Sequence, residues 1–185
     1  MMLPLVCFQR LSSLLEVNSM ELSDRNLVKE IGAVLQQNGQ TLSVAESCTG
    51  GFVGMLLTSE PGSSEWFAGG VIAYSDRVKT DLLGVPSEMI QEYGAVSNEV
   101  VTAMAGGIRR LTGTDYSLSV SGIAGPTGGT PEKPVGTVCM AVDSDESCTT
   151  VMKHFSSFHS REVVRKTSAS YLLTMLYSRL REDGK

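Results

Sequence analysis

Apolar positions along the chain follow two rhythms. Leu27, Ile31, Val34 and Leu35 recur at the three- and four-residue spacing of one helix face, with Ser23 or Asp24 as its cap and Asn38-Gly39 as its stop. Thr41 to Ala45 reads as a short strand. A tight turn follows, Glu46-Ser47-Cys48-Thr49-Gly50-Gly51, and then a helix opened by Phe52, Met55 and Leu56. Pro61-Gly62 breaks the chain, and Phe67 to Ala73 reads as a buried strand with Gly69 and Gly70 inside it. Ser75 or Asp76 caps a helix with Val78, Leu82 and Leu83 on one side, closed by Gly84-Val85-Pro86. Ser87 starts a short helix to Tyr93. Ser97 caps a longer one that turns Val101, Met104, Ala105, Ile108 and Leu111 inward, with Glu99 near its positive end. Tyr116 to Ser121 reads as a strand, and Val135 to Val142 and Thr149 to Phe155 as a hairpin around Asp143-Ser144-Asp145. Ser160 caps a last helix through Val164, Ala169, Leu172, Leu173, Leu176 and Leu180.

Five strands interleaved with about as many helices predict an α/β fold, a single three-layer α/β/α sandwich with a mixed sheet covered on both faces. In such sheets ligands bind where strands run out into loops. No repeat or linker divides the 185 residues. The expectation is one domain over 20–185, after an N-terminal arm over 1–19 that is dispensable or poorly ordered.

Composition narrows the function. Hydrophobic residues make up 42% and charged residues 19%, which excludes wholesale disorder, and the net charge of −5 argues against a general nucleic-acid binder. No apolar run is long enough to span a bilayer. The four cysteines, Cys7, Cys48, Cys139 and Cys148, form no C-x-x-C pair, and His154 and His159 are far from Cys48 in sequence. No metal and no cofactor are expected, and the reducing cytoplasm is the simplest location.

Four stretches could carry chemistry. The first is the turn at 46–51, a strand running through small hydroxyl residues and glycines into a helix. Helix N–H groups there would stabilise an anion, either a phosphate or the oxyanion of acyl transfer; the bland alternative is a helix capped by Ser47 or Thr49. The turn matches neither the P-loop nor the dinucleotide fingerprint, and it lacks G-x-S-x-G. In the second stretch, Tyr74-Ser75-Asp76-Arg77-Val78-Lys79, a partly desolvated lysine could serve as a base for a serine; the alternative is an exposed lysine on a solvated face. The third is the loop of Ser121, Gly122, Ala124 and Gly125 running on to Pro134, backbone shaped to wrap a ligand or simply a surface loop. The fourth is Arg161 and Arg165, one turn apart, which could hold phosphate or form surface salt bridges.

The order of these stretches is more specific than any one of them. A-E-S-C-T-G-G at 45–51, G-G-V-I-A-Y-S-x-x-x-K at 69–79, G-A-V-S at 94–97, S-G-I-A-G-P-x-G-G with K-P-V-G-T-V at 121–138, and R-x-x-x-R at 161–165 together resemble the CinA C-terminal domain family, the nicotinamide mononucleotide (NMN) amidohydrolases. The resemblance spans about Leu22 to Leu180. It implies hydrolysis of the NMN carboxamide to nicotinate mononucleotide and ammonia, with Ser47 as nucleophile, Tyr74 and Lys79 beside it, and no metal. N–H groups around Thr49, Gly50 and Gly51 would hold the oxyanion, the 121–129 loop would shape the nucleotide pocket, and Arg161 would meet the phosphate. The residues alone leave Cys48, beside a helix N-terminus, as a rival nucleophile. The chain also departs from the family pattern: His159-Ser160 replaces a common Gly-Asp, Asp76 a frequent asparagine, and Cys139 a frequent aromatic residue. The partner expected is a small nucleotide, and a homodimer is the default expectation for an enzyme of this size. The alternative is a competence-associated protein that binds a nucleotide in the same pocket without turnover.

Overall fold

The computed structural model describes residues 24–156 and 159–184. Ser23 and the arm over 1–19 lie outside them. Helix α1 occupies 24–38. The remaining elements are β1 (Leu42–Glu46), α2 (Phe52–Thr58), a short 3-10 turn (Ser63–Glu65), β2 (Phe67–Ile72), α3 (Asp76–Leu83), α4 (Ser87–Tyr93), α5 (Asn98–Thr112), β3 (Tyr116–Gly122), β4 (Thr137–Ser144), β5 (Cys148–His154) and α6 (Arg161–Asp183). The strands form one sheet in the order β2-β1-β3-β4-β5. β1 lies parallel to both β2 and β3, and β3, β4 and β5 are antiparallel. The mixed three-layer sandwich is therefore present. Side-chain oxygens of Ser75, Ser97 and Ser160 accept the N–H three residues on, each at 3.3 Å, so all three caps read from sequence start their helices.

The two faces of the sheet are built differently. On one, Leu42, Val44, Leu118, Val120 and Met140 pack under α1, α2 and α6 in an aliphatic core. On the other, the buried side chains are small. Ser117 donates to Ala105 O at 2.7 Å and Ser119 to Val101 O at 2.6 Å, both carbonyls of α5, while Ala45, Cys139 and Ala141 fill the flanks. This thin layer lets α5 ride close to the central strands.

Three apolar readings need correction. Leu111 is 59% exposed although at ~100° per residue it falls within the α5 stripe: it sits in the last turn, beyond Ile108, the last buried residue of the helix. Leu82 is also exposed, because the inward positions of α3 are Lys79 and Leu83, four residues apart. β2 is an edge strand of alternating exposure rather than a buried one.

A polar staple fixes the far end of α6. Arg179 Nε donates to Asp183 at 2.7 Å, and Tyr116 at the start of β3 donates its hydroxyl to the same carboxylate at 2.7 Å. Burial opposes charge on Asp183, but the bonds from Arg179 and Tyr116 outweigh it and hold the carboxyl below its ordinary range. Burial first, and the bond to Asp183 second, push Tyr116 up to about 12. The depressed acid contributes stability above the ordinary carboxylate range that is lost as pH falls through its folded value. The raised phenol contributes stability that is lost only as pH climbs toward about 12.

Gly107 tests the close seat of α5. A Cβ there would stand 2.0 Å from Leu83 O. In an exposed helix, glycine to alanine stabilises by up to ~1 kcal/mol. Here Gly107→Ala is expected to reverse that sign and destabilise by about 1–3 kcal/mol, measured by urea unfolding. A gain in stability would mean that α3 and α5 are not locked together.

Candidate active site

The turn after β1 is held from both sides. Ser47 N–H donates to Val120 O at 2.9 Å, and Glu46 O accepts Ala73 N–H at 2.7 Å, so the turn leaves the sheet between the ends of β2 and β3. The Glu46 side chain is buried and reaches forward. Its carboxylate accepts N–H bonds from Gly51 (2.9 Å), Val53 (3.2 Å) and Gly54 (2.8 Å). Glu46, not Ser47 or Thr49, therefore closes the start of α2. Gly51, the residue before the first helical one, has φ 94°, which a side chain rarely adopts.

This cap corrects the expected oxyanion donors. The Gly51 N–H belongs to Glu46, and the Gly50 N–H donates to Ser47 O at 3.1 Å. The Cys48 and Thr49 N–H groups keep no acceptor among the described residues. The Thr49 hydroxyl is buried without a hydrogen-bond partner there.

A cleft of about 200 Å³ opens beside the turn, lined by Ser47, Cys48, Tyr74, Asp76, Lys79, Ala95, Val96, Ser121, Gly122 and Arg161. Residues far apart in sequence meet here because β1, β2 and β3 run parallel and end on the same side. Lys79 is 1% exposed, although it is a lysine one turn into an exposed helix. Its Nζ lies 3.4 Å from Asp76 Oδ1 and 3.5 Å from Tyr74 O. Tyr74 is 58% exposed, and its hydroxyl accepts from Arg161 Nη2 at 2.9 Å. Ser121 Oγ donates to Ala95 O at 2.7 Å and fixes the lip of the cleft.

Five expected contact residues do not line this cleft: Thr49, Gly50, Gly51, Ala124 and Gly125. Thr49 is fully buried and Ala124 belongs to the core. Gly51 lines a separate groove between α2 and β2. Gly125 has φ 82° and Val135 packed where a Cβ would go, and it offers its carbonyl to Arg161 Nη1 at 2.9 Å. Gly122 lines the cleft but is also paired with Val138 in the sheet. The arginine pair is not a pair of surface salt bridges. Arg161 ties Tyr74 to the 121–129 loop, and Arg165 donates twice to Thr49 O, at 3.0 and 2.6 Å. Arg161 also lines a second cleft of about 400 Å³ with Phe52, Glu162, Arg165 and Lys166. The structural role of Glu46 escaped sequence reasoning; its signal is an acid ending a buried strand just before a glycine turn.

The environment separates the two nucleophile candidates. Burial pushes the Cys48 thiol up to about 12, with Glu46 adding to the rise while its own backbone N–H, Arg161 and Arg165 oppose it. A thiol so placed stays protonated and unreactive at neutral pH.

The sequence from 24 to 180 matches the profile of the CinA C-terminal domain. The chain belongs to the CinA C-terminal domain family. It is 52% identical over 158 residues to a CinA-like protein of Parasynechococcus marenigrum, covering 85% of this chain and 38% of the relative. A CinA-like protein of Synechocystis is 47% identical over 154 residues, covering 83% and 37%. The chain thus spans under two-fifths of the length of these curated relatives. Among solved structures, a competence/damage-inducible protein of Agrobacterium tumefaciens superposes with TM-score 0.82 at 33% identity, over 85% of this chain and 95% of its own. A CinA superfamily protein of Escherichia coli gives 0.79 at 29% identity, over 83% and 88%. Among the described residues of this CinA domain, no helix is long and apolar enough to cross a membrane and no cluster of side chains is suited to a metal ion.

Two outcomes follow for the turn of this CinA domain. Iodoacetamide at pH 8 should leave Cys48 unmodified in the native protein and label it after urea unfolding, as read by peptide mass mapping; rapid native labelling would contradict the buried thiol. Glu46→Gln turns a triple acceptor into a group with one oxygen and a competing NH₂, and should cost about 1–3 kcal/mol in denaturant unfolding.

Proposed function

We propose that this chain hydrolyses the carboxamide of nicotinamide mononucleotide, releasing nicotinate mononucleotide and ammonia and so recycling a pyridine nucleotide, and that it works in the cytoplasm. The observation that carries this reading is the meeting of Ser47, from the end of β1, with Tyr74 and Lys79, from the end of β2 and the helix after it, at one cleft. In this reading Ser47 Oγ adds to the amide carbon while its proton passes to Lys79. The carbonyl π pair moves onto oxygen, where the Cys48 N–H group receives it. Collapse of the tetrahedral adduct breaks the C–N bond, and the nitrogen leaves as ammonia with the proton returned from Lys79. Water then adds to the acyl-serine and frees the carboxylic acid and Ser47. Arg161 holds the Tyr74 hydroxyl as an acceptor, which leaves the phenol O–H to hydrogen-bond the departing nitrogen while keeping its proton. Arg161 borders the cleft beside Ser47, and in this reading it meets the phosphate.

Asp76 favours a second reading. Its carboxylate stands 3.4 Å from Lys79 Nζ, so the lysine already serves as an ion-pair partner. A nucleotide-binding regulatory protein would use the same cleft without turnover.

Ammonia and nicotinate mononucleotide release from NMN distinguishes the two. Wild type and Cys48→Ala should both turn over, and Ser47→Ala should lose at least about 10³-fold in kcat with circular dichroism unchanged. Saturable NMN binding by wild type with no ammonia would instead establish the regulatory reading.

A further inference from the structure

Arg165 uses its guanidinium in a way the surface of a helix does not require. Both Nε and Nη2 donate to a single backbone oxygen, Thr49 O. Among the described residues no carboxylate lies in ion-pair range of it. A half-buried arginine normally takes a carboxylate or phosphate in its planar fork. Here two of the three nitrogens converge on the turn that carries Ser47.

That turn transmits charge through its peptides. Thr49 C=O and Gly50 N–H belong to one peptide group, and Gly50 N–H donates to Ser47 O at 3.1 Å. Ser47 C=O and Cys48 N–H belong to the next, and Cys48 N–H has no acceptor among the described residues. Two peptides thus stand in series between a cation and an open N–H. A hydrogen bond accepted at a carbonyl makes the N–H of the same peptide a better donor, and such chains polarise one another. The neighbouring thiol senses the same field: Arg161 and Arg165 favour negative charge at this turn and Glu46 opposes it.

We propose that Arg165 is a positioning residue for the amide hydrolysis proposed above, an inference that rests on that reading: by gripping Thr49 O it fixes the turn and polarises the peptides 49–50 and 47–48, so that Cys48 N–H becomes a strong donor to the oxyanion. In this role Arg165 does not touch substrate. It acts most when charge develops on the carbonyl oxygen and little when neutral amide is bound, so its removal falls on kcat rather than KM.

The test compares Arg165→Met and Arg165→Lys with wild type, measuring kcat and KM for ammonia release from NMN and the amide ¹H and ¹⁵N shifts of the free proteins. Arg165→Met should lower kcat about tenfold to a hundredfold, with KM within about threefold. Arg165→Lys, which keeps the charge but not the double contact, should fall between. The Gly50 and Cys48 amide protons should move upfield in Arg165→Met and less in Arg165→Lys. A methionine variant within about threefold of wild-type kcat, a lysine variant no better than methionine, or a rise in KM at constant kcat would each overturn the proposal. If Arg165→Met fails to fold, the lysine variant decides alone: a lower kcat with both amide protons moved supports the relay, and unmoved protons overturn it. If wild type releases no ammonia, the hydrolase reading falls, and the amide shifts still decide whether the relay exists.

Discussion

A buried carboxylate that accepts three backbone N–H groups organises this protein. Glu46 ends the strand that lies between β2 and β3, and it is 2% exposed. An isolated charge there would be very costly. The offset comes from three charge-assisted bonds and from the positive end of α2, which the carboxylate faces. α2 has 7 residues, too few to persist without tertiary support. One side chain thus joins a strand end to a helix start and sets the length and curl of everything between them, including Ser47. The same three bonds take the Gly51, Val53 and Gly54 N–H groups out of a ligand's reach, and those of Cys48 and Thr49 keep no acceptor among the described residues.

The unequal faces of the sheet complement that turn. An aliphatic core on one side gives most of the hydrophobic stability. On the other, Ser117, Ser119 and Ser121 point their hydroxyls at carbonyls of α5 and of the segment before it. Serine is small enough to let the helix approach and satisfies its own hydroxyl in doing so. The approach brings Ala95 and Val96 over the end of β3, where they become a wall of the cleft. The serine row that steadies the fold and the serine at the lip of the site are the same row.

Much of this was legible in the chain. Serine caps, glycine stops and three-four spacing are local effects, and they placed α3, α5 and α6 because nothing tertiary overrides them. The errors share a different cause. Leu82 looked inward because apolar spacing cannot foresee that Lys79 takes the buried position on α3. Phe67 to Ala73 looked buried because composition does not distinguish an edge strand from a central one. Gly50 and Gly51 looked like free donors because only the folded turn reveals that Glu46 curls forward to take one of them. The backbone partners of Arg161 and Arg165 stayed hidden because the carbonyls they grip, at Gly125 and Thr49, are 36 and 116 residues away.

The staple at the end of α6 has an evolutionary corollary. Arg161 and Arg165 start this helix, and Arg179 and Asp183 end it about 33 Å away. Both ends are committed to fixed partners, Tyr74, Thr49 and Gly125 at one and Tyr116 at the other. A one-residue insertion or deletion between them would turn one set by about 100° and slide it about 1.5 Å. The helix is therefore a ruler that tolerates substitution but not a change of length. Length variation among related chains is expected to collect in the glycine-rich loop after β3 and to be absent from α6.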